Sequence, residues 1–385
     1  MRETLTPADA REAGEVIAAA AASGRRLEIR GGGSKAAYGV QAAGEADLLD
    51  TRRLSAVVDY DPQEFVLTAG AGAAMSEIEA LLASHGQRLA FEPPDIGPVL
   101  GAPAGGSTLG GVLAANLSGP RRIAVGAARD HLLGFEAVSG RGIVFKAGGR
   151  VVKNVTGFDL AKLMAGSWGA LALLTTVTVR TTVRPRTAAT LRLRGLSDAR
   201  AAEAMGVAMR LPLEVSGAAH LPMADETVLR LEGFAPSVAA RTERLAEALQ
   251  PFGATDLLDD AATAALWRDV GALAPLVGRP GALWRISVPP SQGAQAVALL
   301  DAGAAPRIID WAGGLVWLAL AEPRAAEVRT VAERLGGHAT LVLSDTPPNA
   351  PAFHPEPPAL AALSDRVRTA FDPQRVFADR RRSAA

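Results

Sequence analysis

The chain has 385 residues, of which 49% are apolar and 21% charged, a composition typical of a globular protein with room for two or three domains. Forty basic and forty acidic residues give a formal net charge of zero, which argues against nucleic acid as the main partner, because nucleic-acid-binding proteins usually carry a basic face. Cysteine is absent, which excludes disulfides, thiolate metal sites, iron–sulfur ligation and a thiol nucleophile from this chain.

No part of the sequence has the pattern of a targeting or membrane-spanning segment. Residues 1–6 lead directly into an amphipathic helical pattern. No apolar stretch approaches the roughly 20 residues that a membrane-spanning helix needs. We therefore expect a cytoplasmic protein without a direct membrane span.

A glycine loop directly follows the first predicted strand. The pattern predicts a helix over Pro7–Ser23 and a strand over Leu27–Arg30. The loop consists of Gly31, Gly32, Gly33, Ser34 and Lys35. Successive glycines form a tight turn whose amides can converge on an oxyanion, and Lys35 adds positive charge. Alone, the loop is equally typical of a plain surface turn, and it lacks the GxxxxGK[ST] spacing of a P-loop.

The following segment matches a dinucleotide-binding unit only in part. The pattern predicts three strands and then a helix, over Leu48–Asp50, Val57–Tyr60, Glu64–Ala69 and Met75–His85. The turn before the helix contains Gly70 and Gly72, but Met75 stands where the third glycine of GxGxxG belongs. A classical doubly wound dinucleotide fold is therefore disfavoured.

Gly101–Pro120 is a stretch of small residues around which the rest of the chain is organised. Its sequence is GAPAGGSTLGGVLAANLSGP, with a helical turn predicted over Val112–Asn116. Glycine allows a backbone to approach a ligand closely, and unpaired amides at the start of a helix favour anions. The stretch is thus suited to lie against a phosphate-bearing cofactor.

Further strands and a short helix follow. The pattern predicts strands over Leu133–Val138, Ile143–Lys146, Val151–Val155 and Ala170–Arg180, and a helix from Gly157 to Met164. Arg141-Gly142 supplies the hairpin turn between the first two strands. Asp159 lies at the start of the helix, where an acidic side chain is favourable whatever its function.

Three motifs in one order carry a resemblance to a known family: RGGGS at Arg30–Ser34, STLGGVLAANLSG at Ser107–Gly119, and KNVTGFDLAKLMAGSWGALALLT at Lys153–Thr175. Together they resemble the FAD-binding domain of the vanillyl-alcohol-oxidase (PCMH-type) flavoproteins. Within that superfamily, the length and the KNVTGFDL segment are similar to the E subunits of bacterial glycolate oxidases (GlcE). The resemblance covers residues 5–184 well and the remainder weakly.

The resemblance and the element pattern together imply an α+β fold. Residues 1–185 are expected to form a PCMH-type FAD-binding domain of two subdomains. Residues 186–345 are expected to form a shortened ferredoxin-like α+β cap, and residues 346–385 a proline-rich linker with a C-terminal helix and tail. Within the cap, strands and helices from Leu283 to Leu343 match a split βαβ arrangement. The elements from Ala189 to Leu249, with a strand over Leu213–Ser216, are predicted to form a less complete copy.

The resemblance also implies which residues bind FAD. The two glycine segments are expected to hold the pyrophosphate, and Gly166–Gly169 to lie near the other end of the cofactor. The residues predicted to bind the cofactor are Gly31, Gly32, Gly33, Ser34, Lys35, Ser107, Thr108, Gly110, Gly111, Asn116, Lys153, Gly157, Asp159, Gly169 and Leu173. Leu173 and Leu174 are also expected to be core residues.

The sequence departs from the family pattern at positions that matter for chemistry. Many relatives attach the flavin covalently through histidine or cysteine, whereas this chain has no cysteine and carries Ser34 in its first loop. We therefore expect non-covalent FAD. Trp168 and Ala170 stand where hydroxy-acid-oxidising relatives typically have Glu and Thr, which alters the chemistry near that loop.

No catalytic or metal-binding residue is predicted. Oxidation of a hydroxy acid needs a base for the hydroxyl proton and a cation for the carboxylate, but the histidines of the second half are widely spaced and match no metal-ligand pattern.

The resemblance implies an FAD-binding subunit that supports oxidation of glycolate to glyoxylate in a complex. Its partners would be a GlcD-like flavoprotein subunit and a GlcF-like iron–sulfur subunit, and any membrane contact would be made through the complex. Two alternatives to this interpretation stay open: a self-sufficient FAD-dependent oxidoreductase on a small 2-hydroxy acid or alcohol, and a non-catalytic assembly subunit.

Overall fold

The computed structural model describes residues 2–39, 46–149, 158–346 and 350–379. A three-stranded, a five-stranded and a small two-stranded sheet form the N-terminal half, and one long sheet forms most of the C-terminal half. The strands of the N-terminal half are β1 (Thr4–Leu5), β2 (Leu27–Arg30), β3 (Asp47–Asp50), β4 (Val57–Asp61), β5 (Val66–Gly70), β6 (Gln87–Arg88), β7 (Leu132–Ser139), β8 (Val144–Gly148), β9 (Ala172–Arg180) and β10 (Thr182–Val183). Its helices are α1 (Ala10–Ala22), α2 (Met75–Ser84), α3 (Leu109–Ala115), α4 (Arg122–Val125), α5 (Ala128–His131) and α6 (Leu160–Met164).

The first subdomain is a three-stranded parallel sheet in the order β1-β3-β2. Helix α1 packs against it, and the Asp9 side chain caps that helix by accepting from the Glu12 amide at 2.8 Å. Ile17 of the helix is fully buried against Leu27 and Leu49 of the strands. The predicted first helix and strand are therefore confirmed, the helix within two or three residues at its start.

The second subdomain is a five-stranded antiparallel sheet in the order β4-β5-β9-β7-β8. Helices α2, α3 and α6 contribute to its core, with Ile78, Leu113 and Met164 almost fully buried among strand residues. Because this sheet is antiparallel and the parallel sheet has three strands, the N-terminal half is not a doubly wound dinucleotide fold, as the incomplete glycine pattern indicated.

The cap is one eight-stranded antiparallel sheet with helices on both faces. Its strands are β11 (Thr187–Arg194), β12 (Gly217–Leu221), β13 (Glu226–Gly233), β14 (Thr255–Leu258), β15 (Ala282–Ser287), β16 (Arg307–Asp310), β17 (Leu315–Leu320) and β18 (His338–Ser344). Its helices are α7 (Asp198–Arg210), α8 (Ala235–Leu249), α9 (Asp260–Gly271), α10 (Gly293–Leu299) and α11 (Ala325–Arg334). The strand order is β14-β11-β13-β12-β16-β17-β15-β18.

This order corresponds to two complete ferredoxin-like units placed edge to edge. Each unit runs strand, helix, strand, strand, helix, strand, and the second strand of each lies at the junction, where His220 pairs with Ile309. The prediction that the first unit is less complete is wrong. The strand missed was Thr255–Leu258, a half-exposed edge strand without an apolar face, and the helix Asp260–Gly271 after it was also missed.

The strand predicted over Leu213–Ser216 is also wrong. Glu214 has φ +52°, a left-handed conformation that interrupts extended backbone, and the strand begins at Gly217. Leu213 and Val215 are nevertheless buried in the cap core, which explains the apolar pattern that suggested a strand.

An ion cluster joins the cap to the N-terminal half. Arg230 of β13 donates to both carboxylate oxygens of Glu92 at 2.8 Å, and its guanidinium lies 4.6 Å from the Trp267 ring centroid. Arg88 and Arg121 of the N-terminal half bind Glu232 of the same cap strand. Burial alone would raise the pKa of Glu232, but these arginine charges outweigh it and lower the pKa to about 2.

The C-terminal segment returns to the first subdomain. Helix α12 (Pro358–Phe371) is followed by Phe377, which is fully buried and bridges to Leu27 of β2. Arg368 donates to Asp379 at 3.0 Å and to the Phe377 carbonyl at 2.8 Å. The predicted closing helix is confirmed. No helix within the described ranges is long and apolar enough to cross a bilayer.

Candidate functional site

The predicted glycine segments line one cleft between the two N-terminal subdomains. One wall comes from the end of β2 and the loop after it, and the other from α3 and from Ala172 and Leu174 of β9. The cleft encloses a cavity of about 100 Å³ and is open to solvent at its mouth. Of the predicted residues, the cleft is lined by Gly31, Gly32, Gly33, Ser34, Lys35, Thr108, Gly110, Gly111 and Gly169.

The first glycine loop packs directly against the second. A Cβ atom on Gly31 would lie 2.3 Å from Thr108 Oγ1, and one on Gly32 would lie 2.0 Å from the Gly106 carbonyl oxygen. Such separations are far shorter than any real contact, so both positions require glycine for the loops to meet. The glycines therefore serve the contact between loops, in addition to the ligand approach that the sequence suggested.

The start of α3 is positioned in the same way. A Cβ on Gly110 would lie 2.6 Å from the Ala71 Cβ and 2.8 Å from the Ala71 carbonyl oxygen. Thr108 caps the helix by accepting from the Gly111 amide at 3.3 Å. The helix therefore lies tightly against the turn after β5, and Gly111 is left facing the cleft.

Two hydroxyls and one ammonium group connect the loops. Ser34 Oγ and Ser107 Oγ lie 3.1 Å apart, and Lys35 Nζ donates to both, at 3.0 and 3.3 Å. Both serines are buried. Ser107 thus does not line the cleft but fixes the two residues that do.

Lys35 carries a positive charge that burial makes unfavourable. Burial lowers its pKa from 10.5 to about 8, and the carboxylate of Asp95 opposes this shift. Asp95 itself accepts from the Gly105 and Gly97 amides at 2.6 and 3.2 Å. A desolvated ammonium beside two hydroxyls in a glycine-walled cleft fits the phosphates of a dinucleotide, because an added anion would stabilise the charged form.

The far end of the cleft is formed by Trp168, which lies in the predicted Gly166–Gly169 segment and is also a departure from the family pattern. Trp168 has φ +55°, and its amide donates to the Ala114 carbonyl at 2.9 Å. Its ring centroid lies 4.6 Å from that of Tyr38 and 5.5 Å from that of Phe353. These three rings separate the cleft from the cap, and Phe353 belongs to the segment after the cap.

Besides Ser107, three predicted cofactor residues of the described part of the chain lie away from the cleft lining. Asn116 ends α3 with φ 50°, and its Oδ1 accepts from the Arg129 amide at 3.0 Å. Asp159 is the exposed cap of α6, accepting from the Lys162 amide at 3.3 Å. Leu173 is fully buried in the core around α1. Cofactor contact by these residues stays a prediction, as it does for Lys153 and Gly157, which lie outside the described residues.

Several lining residues were missed because they are ordinary apolar or small residues. They are Ile29, Thr51, Ala71, Ala114, Ala115, Ala172 and Leu174. The sequence did contain one signal that could have distinguished Leu174 from Leu173. Side chains alternate along a strand, so Leu173 and Leu174 of β9 face opposite sides, and only Leu174 reaches the cleft.

None of the five histidines lines the cleft. His131 is buried with Nε2 3.0 Å from the Val125 carbonyl oxygen, and His220 is buried 2.9 Å from Thr227 Oγ1. Within the described residues, no group of three or more His, Asp or Glu side chains is arranged to hold a metal ion. The cleft lining therefore offers glycine backbone, hydroxyl groups and the Lys35 ammonium rather than imidazole groups.

Comparison with known proteins decides the family. The FAD binding domain family matches residues 2–148. Glycolate oxidase subunit GlcE of Escherichia coli (strain K12) is 35% identical over 353 residues, which span 91% of this chain and 91% of that protein. This chain belongs to the GlcE family. The predicted resemblance to GlcE and the presence of an FAD-binding domain are thus confirmed.

Other relatives of the GlcE-family chain match over shorter stretches. D-lactate dehydrogenase of Archaeoglobus fulgidus is 30% identical over 46% of this chain and 38% of its own length. Glycolate oxidase subunit GlcD of Bacillus subtilis (strain 168) is 29% identical over 36% of this chain and 28% of its own length. The chain is therefore a member of an FAD-dependent oxidoreductase family.

The fold extends to solved structures of low sequence identity. A structure of alkyldihydroxyacetonephosphate synthase superposes with a TM-score of 0.64 at 15% identity, covering 98% of this chain and 76% of that one. This likeness confirms the expected α+β fold.

Proposed function

We propose that this GlcE-family chain is the FAD-binding subunit of a glycolate oxidase complex that supports oxidation of glycolate to glyoxylate. The observation that carries the proposal is the single cleft formed by the two glycine loops, in a chain that aligns along 91% of its length with E. coli GlcE. The cofactor is held without a covalent bond, because the first loop presents Ser34, whose hydroxyl is buried against Ser107.

The cleft residues divide the binding of FAD between them. Lys35, Ser34 and the glycine-loop amides hold the phosphates, and Ile29 and Leu174 supply apolar contact along the walls. When bound, FAD supplies the capacity to accept two electrons from the oxidised substrate. On the cap side, Trp168 lines the cleft, and Tyr38 and Phe353 pack against its ring.

The partners are a GlcD-like flavoprotein subunit and a GlcF-like iron–sulfur subunit. GlcD of B. subtilis is itself a relative of this chain. Since this chain has no cysteine, any iron–sulfur cluster in the complex is ligated by another subunit. With no histidine lining the cleft, the main site of substrate oxidation lies on the GlcD-like subunit.

The visible spectrum of the purified full chain tests the proposal. We expect a flavin spectrum, and denaturation should release the chromophore as free FAD. A folded chain that neither carries nor takes up FAD would contradict the cofactor assignment and favour an assembly subunit. A chromophore that stays with the denatured protein would contradict non-covalent binding.

Anaerobic addition of glycolate to the same sample separates a supporting subunit from a self-sufficient oxidoreductase. We expect the flavin absorbance to persist in the isolated chain and to bleach once the GlcD-like subunit is added. Bleaching by glycolate in the isolated chain would overturn the assignment of oxidation to the partner.

FAD affinity should depend on the protonation of Lys35. The lysine is charged below its pKa of about 8, so FAD binds most tightly below pH 8 and more weakly as pH rises above it. Replacing Lys35 with methionine should weaken binding roughly tenfold at pH 7, as expected for one charge-assisted contact, and flatten the pH dependence. Titration of the apoprotein with FAD between pH 6.5 and 9.5 measures both.

Lys162→Met is the matched control for this experiment. Lys162 is exposed on α6, where it pairs with Asp159, and it does not line the cleft. Its removal should leave FAD affinity and its pH profile unchanged. A pH-independent affinity in the wild-type chain would show that Lys35 does not face the bound anion.

A further inference from the structure

Two arginines from different domains meet at one tryptophan ring in the interface between the cap and the FAD-binding half. The Arg122 guanidinium of α4 lies 4.3 Å from the Trp311 ring centroid, and the Arg285 guanidinium of β15 lies 5.3 Å from it. Arg285 is also 5.8 Å from the ring centroid of Trp317. We call Arg122 and Arg285 the interdomain arginine pair.

The geometry of the pair is fixed from both domains. The Gly119 carbonyl accepts from Trp311 Nε1 and from the Arg122 amide, both at 3.1 Å. Arg285 lies opposite Trp317 in the β15–β17 ladder, on the sheet face that packs against the FAD-binding half through Ile96 and Leu117. The pair therefore does not depend on an exposed loop.

Neither arginine of the pair forms a side-chain hydrogen bond or ion pair within the described part of the chain. Both are only half-buried by accessible surface, yet burial is the main cause that lowers the pKa of each, and the charge of Arg285 lowers the pKa of Arg122 further. Of the nearby acids, Asp130 raises the pKa of Arg122, but by less than burial lowers it. Asp310 accepts a hydrogen bond from the Trp311 amide, and its charge interacts with Arg230.

An imidazole and a phenol ring lie near the pair. His338 of β18 lies on the same sheet face, two residues before Thr340, the pairing partner of Arg285. Burial and the charges of Arg285, His354 and Arg122 lower the pKa of His338 to about 4, so it is neutral at pH 7. Tyr38 lies close enough for Arg285 to influence its pKa, although burial dominates and raises it.

We propose that the interdomain arginine pair is an anion site that binds the carboxylate of a small organic acid. Both guanidiniums lie near the Trp311 ring and their charges repel each other, so an anion bound beside them would offset that repulsion in the partly desolvated interface. Guanidinium groups bind carboxylates through paired hydrogen bonds. The site lies on the cap side of Tyr38, whereas the cofactor cleft lies on the side of Trp168.

The anion site is independent of the proposed binding of FAD in the cleft. The anion site is built from Arg122, Arg285, Trp311 and Trp317, and none of these lines the cofactor cleft. It would give this subunit its own contact with a hydroxy acid or its oxidised product, whichever subunit performs the oxidation.

Calorimetric titration of the full chain with glycolate tests the site, with ethylene glycol as the uncharged probe of similar size. We expect saturable binding of glycolate and none of ethylene glycol. Arg285→Gln and Arg122→Gln should each weaken glycolate binding between tenfold and a hundredfold, as expected for loss of a hydrogen bond to a charged group. Arg285→Lys should retain part of the affinity, because lysine keeps the positive charge but lacks the planar guanidinium that donates two parallel hydrogen bonds.

Arg200→Gln is the matched control, because Arg200 also stacks on an aromatic ring, 4.4 Å from Phe252, but pairs with Glu203 on the surface. It should bind glycolate like the wild type. Absence of saturable glycolate binding in the wild-type chain, or wild-type affinity in both glutamine variants, would overturn the proposal. If Arg285→Gln does not fold, Arg122→Gln tests the anion site in its place, because Arg122 lies on the other domain. The FAD content, read from the visible spectrum of each sample, reports separately on the proposed function.

Discussion

Replacing Arg230 with methionine is expected to lower the free energy of unfolding by about 3 kcal/mol. Arg230 is 4% exposed and donates to Glu92 across the domain interface, so its removal leaves a partly buried carboxylate without its main partner. Breaking a buried ion pair typically costs about 3–5 kcal/mol. The lower end applies here, since the Glu92 side chain retains 25% exposure. Urea denaturation followed by circular dichroism measures the change.

Arg194→Met is the control for the ion-pair effect. Arg194 lies on β11, next to β13 in the sheet, and pairs with Glu226 and Asp256, but its side chain is 49% exposed. Exposed pairs contribute about 0–1 kcal/mol, so this variant should be nearly as stable as the wild type. A loss below 1 kcal/mol for Arg230→Met would show that the cluster contributes no more than a surface pair.

Replacing Gly32 with alanine is expected to abolish tight FAD binding. The new Cβ would lie 2.0 Å from the Gly106 carbonyl oxygen, and both partners are backbone, so one loop must move away from the other. Overpacking of this kind costs about 1–3 kcal/mol or more, and the displaced loop carries Lys35 and Ser34 with it. We expect the dissociation constant for FAD to rise by about two orders of magnitude, measured by titration of the apoprotein.

The same contact supplies its own control in Gly106→Ala. A Cβ on Gly106 would lie 3.4 Å from the Gly32 carbonyl oxygen, an ordinary contact, and Gly106 has no positive φ. This variant should bind FAD within about threefold of the wild type, since the expected cost is a few tenths of a kcal/mol. Equal losses in both variants would mean that reduced glycine content, rather than the loop contact, determines the effect.

Much of the fold could be predicted from local pattern because its elements are regular. The helix at α1 has its cap at Asp9, and the strands β2, β7 and β9 have strong apolar or β-branched patterns. Local pattern failed where tertiary contacts override it. The positive φ of Glu214 ended a predicted strand, and the edge strand Thr255–Leu258 has no apolar face to reveal it.

The sequence by itself determined the order of the glycine segments, the family resemblance and the absence of thiol chemistry. These depend on residue identity and spacing, which folding does not change. The tertiary structure alone decided which side chains share a surface. It placed Leu174 rather than Leu173 on the cleft wall and brought Ser34 to Ser107. It also brought Arg122 to Arg285 across two domains. Contacts between residues distant in sequence are set by packing, and no local pattern encodes them.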